Sequence, residues 1–176
     1  MKKSLLALAV LAASGAAMAQ SSVTLYGVAD TGVTYIGGNE NVYGLTATGG
    51  NTNSRLGFRG VEDLGGGLKA SFQIEAGINI DDGTGYLGKE GGKGLEFRRI
   101  SKIGLEGGFG SVTLGRDLTA SYMAVSRYDV FGDTGVGASL AWNAVNTGYN
   151  ARSENTLSYY TPTISGFRAG INYGFG

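Results

Sequence analysis

Residues 68 to 79 read Leu68-Lys69-Ala70-Ser71-Phe72-Gln73-Ile74-Glu75-Ala76-Gly77-Ile78-Asn79, an unbroken alternation of apolar with polar or minimal side chains. Successive side chains of a β-strand point to opposite faces, so the stretch reads as a strand with one apolar and one wet face. On a helix the same residues would scatter around the axis. Two architectures use such a strand: a soluble sandwich with a core on one side, and a membrane barrel with lipid outside and water within.

The pattern repeats on either side of this strand. Further strands are predicted at residues 23–35, 55–63, 98–106, 112–116, 155–161 and 167–175. In the first, Val23, Leu25, Ala29, Val33 and Tyr35 share a face; in the last, Phe167, Ala169, Ile171, Tyr173 and Phe175 do. The connections alternate in length. Residues 64–67, 107–110 and 162–166 are tight, glycine-containing turns of the hairpin type, whereas residues 36–54, 80–97 and 117–154 are long. In an up-and-down meander, alternate connections lie at opposite ends, so one rim is trimmed and the other carries large loops. That is the layout of an outer-membrane barrel. A soluble sandwich has no reason to sort its loops this way, and glycine-rich loops of this length are unusual in a compact soluble domain.

Composition narrows the chemistry. The 176 residues include 33 glycines, one proline, no cysteine and no histidine. No Gly-X-Y period exists, so the glycines serve turns and crowded strand positions. The missing side chains exclude disulfides, thiol nucleophiles, imidazole bases and the usual zinc ligands. Fourteen basic and fourteen acidic residues cancel, which argues against a nucleic-acid partner. The spacing Gly83-Thr84-Gly85-Tyr86-Leu87-Gly88 imitates a dinucleotide-binding turn, but Gly91, Gly92 and Gly94 stand where its helix should begin. Asp81-Asp82 lacks the spacing of a calcium loop. No cofactor, no metal and no catalytic activity are expected. Residues 1–19 read as a secretory signal peptide: Lys2 and Lys3, an apolar run from Leu5 to Leu11, and small residues at Ala17-Met18-Ala19. Residues 20–176 then form one β-barrel domain.

Several motifs carry a family resemblance. Val23-Thr24-Leu25-Tyr26-Gly27-Val28 follows the signal peptide, and Ser54-Arg55-Leu56-Gly57-Phe58-Arg59-Gly60 runs into Glu62-Asp63-Leu64-Gly65-Gly66-Gly67-Leu68-Lys69-Ala70. Later come Gly110-Ser111-Val112-Thr113-Leu114-Gly115-Arg116 and Asn155-Thr156-Leu157-Ser158-Tyr159-Tyr160-Thr161-Pro162. In this order they resemble the general-diffusion porins of Gram-negative outer membranes, in particular the trimeric kind of beta-proteobacteria. The resemblance implies an all-β, antiparallel, up-and-down transmembrane barrel of sixteen strands, of which about seven are present here. It also implies a homotrimer in outer-membrane lipid, passing small hydrophilic solutes and ions, with the third long loop, residues 117–154, folded into the pore.

In such a pore the chemistry is electrostatic. Inward parity puts Arg55, Arg59, Lys69, Arg98, Lys102 and Arg168 on the wet face with Asp30 and Glu75. Basic wall charges opposed by acidic loop charges make a transverse field that orients polar solutes and biases ion entry. The resemblance implies a constriction of Arg55, Arg59, Arg98, Lys102 and Arg116 against Asp129 and Asp133; Arg116 lacks the inward parity and enters on the family pattern alone. The basic excess leans towards anions. Seven strands leave two open edges, and unsatisfied backbone groups in hydrocarbon cost several kcal/mol each. The chain is therefore expected to be the amino-terminal part of a porin. A different outer-membrane barrel, such as an adhesin or barrel enzyme, and a soluble periplasmic β-domain are the alternatives.

Overall fold

The computed structural model describes residues 22–38, 41–46, 50–86, 94–132 and 151–176. Its elements in chain order are β1 (Ser22–Val28), β2 (Val33–Ile36), β3 (Val42–Leu45), β4 (Arg55–Gly65), β5 (Leu68–Ile78), β6 (Gly85–Tyr86), β7 (Ile100–Gly107), β8 (Gly110–Leu118), α1 (Ala120–Ser126), β9 (Arg152–Tyr160) and β10 (Gly170–Gly174). Seven strands form one antiparallel sheet in the order β1-β4-β5-β7-β8-β9-β10, with β6 paired to the loop end of β5. The predicted signal peptide lies outside the described residues.

Register turns the alternation of single strands into continuous faces. One row crosses the whole sheet through Val23, Gly60, Phe72, Ile103, Leu114, Leu157 and Tyr173. The row beside it, on the other face, carries Thr24, Arg59, Gln73, Lys102, Gly115, Thr156 and Gly174. The next row of that polar face ends on Thr113, Ser158 and Asn172.

Burial is inverted relative to a soluble domain. Among the described residues the buried apolar side chain is Ala76, while Ser54, Glu75, Arg99, Asp117, Thr156 and Ser158 are buried. Leu25, Ile103 and Ile171 are all more than 60% exposed. A water-soluble sheet has no means of leaving so many large apolar side chains in solvent; hydrocarbon against that face does.

The short turns follow their glycines. Gly65, Gly66 and Gly67 have φ of 83°, 62° and 81°, the left-handed region that a β4–β5 hairpin turn needs and a Cβ opposes.

The strands expected at 112–116 and 155–161 are longer, Gly110–Leu118 and Arg152–Tyr160, and three others are cut back by two residues or more. The first ends at Val28 rather than continuing to Tyr35. The chain there turns aside: Asp30 N–H donates to Ser54 Oγ at 2.9 Å, Ser54 Oγ donates back to Asp30 O at 2.8 Å, and the Asp30 carboxylate accepts from Gly50, Asn51 and Thr52 N–H. Val33–Ile36 pairs instead with Val42–Leu45 as a separate ribbon inside the first long connection. The strand expected from Arg98 begins at Ile100, because Arg98 N–H bonds to Glu96 O and Arg99 N–H to Glu75 O. The last strand begins at Gly170 rather than Phe167, since Ser165 (φ 51°) and Gly166 (φ 86°) form a turn closed by an Ile164–Phe167 bridge.

Candidate functional site

Nine charged side chains gather at the end of the sheet that carries the long connections, while Glu62, Asp63, Lys69 and Glu106 stand at the short-turn end. Glu75, near the end of β5 and 5% exposed, is the centre of one group. Its Oε1 lies 2.6 Å from Arg99 Nε, and its Oε2 accepts from Tyr26 Oη at 2.9 Å and stands 3.9 Å from Arg55 Nε. Gln73 Nε2 donates to the same tyrosine oxygen at 2.7 Å, and the Arg59 guanidinium sits 5.2 Å from the Tyr26 ring centroid. Gly57 makes room for that ring: a Cβ there would stand 2.6 Å from Tyr26 Cζ and 2.9 Å from the Ile74 carbonyl oxygen.

Two further groups lie beside it. Lys102 Nζ is 2.6 Å from Asp117 Oδ2, with Asp117 almost fully buried. Glu154 Oε2 is shared by Arg98 (3.5 Å) and Arg116 (3.6 Å), and Arg116 Nε donates to Arg98 O at 2.6 Å. A bulge brings Glu154 there. Gly115 pairs Thr156 but Asp117 pairs Ser153, so Glu154 and Asn155, the latter at φ 53°, oppose Arg116 alone. Arg152 reaches the first group, its Nε donating to Arg99 O at 2.9 Å. Arg55, Arg98, Arg99, Lys102, Arg116 and Arg152 thus stand with three carboxylates, Glu75, Asp117 and Glu154, and the assembly carries an excess of positive charge.

The described start of the third long connection, residues 119–132, turns onto the polar face. Thr119, in extended conformation, caps α1 by accepting from Tyr122 N–H at 3.2 Å. Ala120 N–H donates to Asn172 Oδ1, and Asn172 Nδ2 donates to Ser158 Oγ at 2.6 Å; both partners belong to the polar face of the sheet. A cavity of about 780 Å³ lies between helix and wall, lined among others by Met123 and Arg127 from the loop, by Thr113, Lys102 and Tyr160 from the sheet, and by Arg168 from the connection before β10.

An apolar outer face, a charged inner face and a helix tied to that inner face are the parts of a water-filled channel in a membrane. A family model described as Gram-negative porin matches residues 5–176. The chain belongs to the Gram-negative porin family. This porin is 49% identical to outer membrane porin protein 32 of Delftia acidovorans, over 99% of its own length and 50% of the relative's. It is 38% identical to an outer membrane porin protein of Bordetella pertussis, over 99% of its own length and 48% of the relative's. The solved anion-selective porin from Comamonas acidovorans superposes with a TM-score of 0.75 at 43% identity, covering 89% of this chain and 47% of that one. The chain thus spans about half the length of the relatives it matches, and its seven-stranded sheet corresponds to part of a transmembrane β-barrel in the outer membrane.

The predicted site residues of this porin divide into groups. Arg55 adjoins Glu75, Arg59 lies over Tyr26, and Lys102 pairs with Asp117. Arg98 and Arg116 meet at Glu154. Asp129 follows α1, where its Oδ1 accepts from Phe131 N–H at 3.0 Å and its carbonyl from Gly132 N–H. Asp133 lies outside the described residues.

Parity along the chain misses Arg99, because the backbone turns at Arg98–Arg99 and reverses which of the two reaches Glu75. It also misses Arg152, which sits ahead of the bulge in β9, and Glu154, which lies within it. The basic doublet and the acids at strand ends were the available signal; their partners were not.

Proposed function

We propose that this porin contributes the wall and the inward loop of a passive outer-membrane channel for small hydrophilic solutes and ions, with a preference for anions and no catalytic step. The reading rests above all on α1, tied through Asn172 to the polar face of a sheet whose loop end carries six cations and three carboxylates. Charge of one sign lining a confined aqueous passage raises the local concentration of the opposite ion. Arginine suits this because it stays charged at every relevant pH and is weakly hydrated. The constriction comprises Arg55, Arg59, Arg98, Lys102 and Arg116 on the wall and Asp129 and Asp133 on the loop. The buried carboxylates Glu75 and Asp117 hold wall cations in place more than they oppose them across the pore. The name of the Comamonas porin, anion-selective, agrees with this preference. A homotrimer in outer-membrane lipid is the working assembly.

The test is a planar bilayer with protein purified from the outer membrane and a potassium chloride gradient. The expected reversal potential has the sign of chloride preference and shrinks as salt rises through the screening range. A cation-selective or non-conducting protein would sink the reading.

A further inference from the structure

We propose that Asn172 is a positioning residue of the pore: its amide ties the first turn of α1 to the wall and so sets how far the third loop stands into the lumen. The proposal rests on the channel reading above.

A seven-residue helix has little stability of its own, since nucleation is unfavourable and few hydrogen bonds repay it. Its position must come from what it touches. The first helical N–H groups have no partner within the helix. Thr119 Oγ1 takes that of Tyr122, and Asn172 Oδ1 takes that of Ala120. The other end of the amide donates to Ser158 Oγ at 2.6 Å, and Ser158, directly opposite in register on β9, is 1% exposed. With a donor on one side and a buried hydroxyl on the other, the carboxamide has a defined orientation. Asn172 is thus a bracket whose base is fixed in the sheet and whose oxygen holds the helix. At the rim, Thr119 N–H bonds to Ala151 O at 3.0 Å and closes the loop upon itself, but both of those residues belong to the loop ends. Among the described residues, the hydrogen bond from Ala120 N–H to Asn172 Oδ1 ties the first turn of α1 to the wall.

The contact can be cut from either side. Ala120→Pro removes only the donor: proline is tolerated at the first helical position, and the residue before it must be extended, as Thr119 is with φ −72° and ψ 153°. This change lies outside every strand and leaves barrel assembly alone. Asn172→Leu removes the acceptor, whereas Asn172→Asp keeps an acceptor for Ala120 and for the Ser158 hydroxyl. Single-channel recordings on the protein purified from the outer membrane, at high salt to suppress selectivity effects, read the loop as open-channel noise and sub-state visits.

A net hydrogen bond of ordinary strength raises the released fraction about 3- to 10-fold when lost. Ala120→Pro and Asn172→Leu are each expected to raise sub-state visits by that factor, the double variant no further, and Asn172→Asp to record like the parent. Quiet channels in Ala120→Pro overturn the proposal, even where Asn172→Leu does not fold; so does an additive effect in the double variant. A parent protein that carries no current defeats the channel reading instead. The tether is then judged by spin labels at Tyr128 and Ser111, whose distance distribution broadens in Ala120→Pro if Asn172 holds the helix and is unchanged if it does not.

Discussion

Glu75→Gln probes the charged face most directly, because one buried carboxylate serves Arg55, Arg99 and Tyr26 together. The glutamine keeps the shape and a carbonyl acceptor but removes the charge. Two effects follow and they have different readouts. Arg99, 8% exposed, loses its counter-charge at 2.6 Å. Removing one partner of a buried pair costs about 3–5 kcal/mol, and the retained acceptor recovers part of that, leaving about 2–3 kcal/mol. Glu75→Ala, which also strands the Tyr26 hydroxyl, lies at the upper end. Urea unfolding followed by tyrosine fluorescence, or heat-dependent mobility on gels, measures the order Glu, Gln, Ala.

The second effect is on ions. The pore gains one positive charge, and an anion passing a unit charge at about 4 Å in water is favoured by about 1 kcal/mol, roughly a fivefold local enrichment. At low salt, reversal potentials in Glu75→Gln therefore move further towards chloride, and the difference fades at molar salt. A variant as stable as the parent, or one whose potential moves towards potassium, refutes the placement of Glu75 as the buried counter-charge of a cationic wall.

Hydrogen bonds from Thr52, then Asn51, then Gly50 hold the Asp30 carboxyl below the usual carboxylate range. A lowered folded value stabilises the loop above the unfolded value, about 3.9, and that contribution is lost as pH falls through the folded one. Hydrogen exchange at residues 50–52 should stay slow from neutral pH down to about pH 4 and then quicken relative to intrinsic rates, while Asp30→Asn abolishes the step. Gly57→Ala forces the Tyr26 ring off the wall and should destabilise by about 1–3 kcal/mol, measured by urea unfolding, with altered selectivity as Arg59 and Glu75 lose their shared neighbour. A double-mutant cycle on Lys102→Met and Asp117→Asn should return a coupling of roughly 1 to 2 kcal/mol, above the exposed-pair range because Asp117 is buried. Simple additivity would show the pair to be incidental.

The chain alone determined the sheet. Alternation from Leu68 to Asn79, glycine turns at residues 65–67 and 107–110, and long connections at every second position are local signals with period two, and they define the strands, their order and the apolar face. The motifs from Val23 and from Ser54 led to the porin family for the same reason. What the tertiary structure decided is which charges meet. Strict parity gives the wet face to Arg98 and withholds it from Arg99, yet a turn before β7 hands Glu75 to Arg99, and a bulge at Asn155 sets Glu154 against Arg116. The end of β1 at Val28 depends on Ser54 and residues 50–52, far along the chain, and the place of α1 depends on Asn172, more than fifty residues beyond it. Periodicity is a property of neighbours in sequence. Bulges, rim turns and loop tethers depend on register between strands, and register exists only once the sheet has formed.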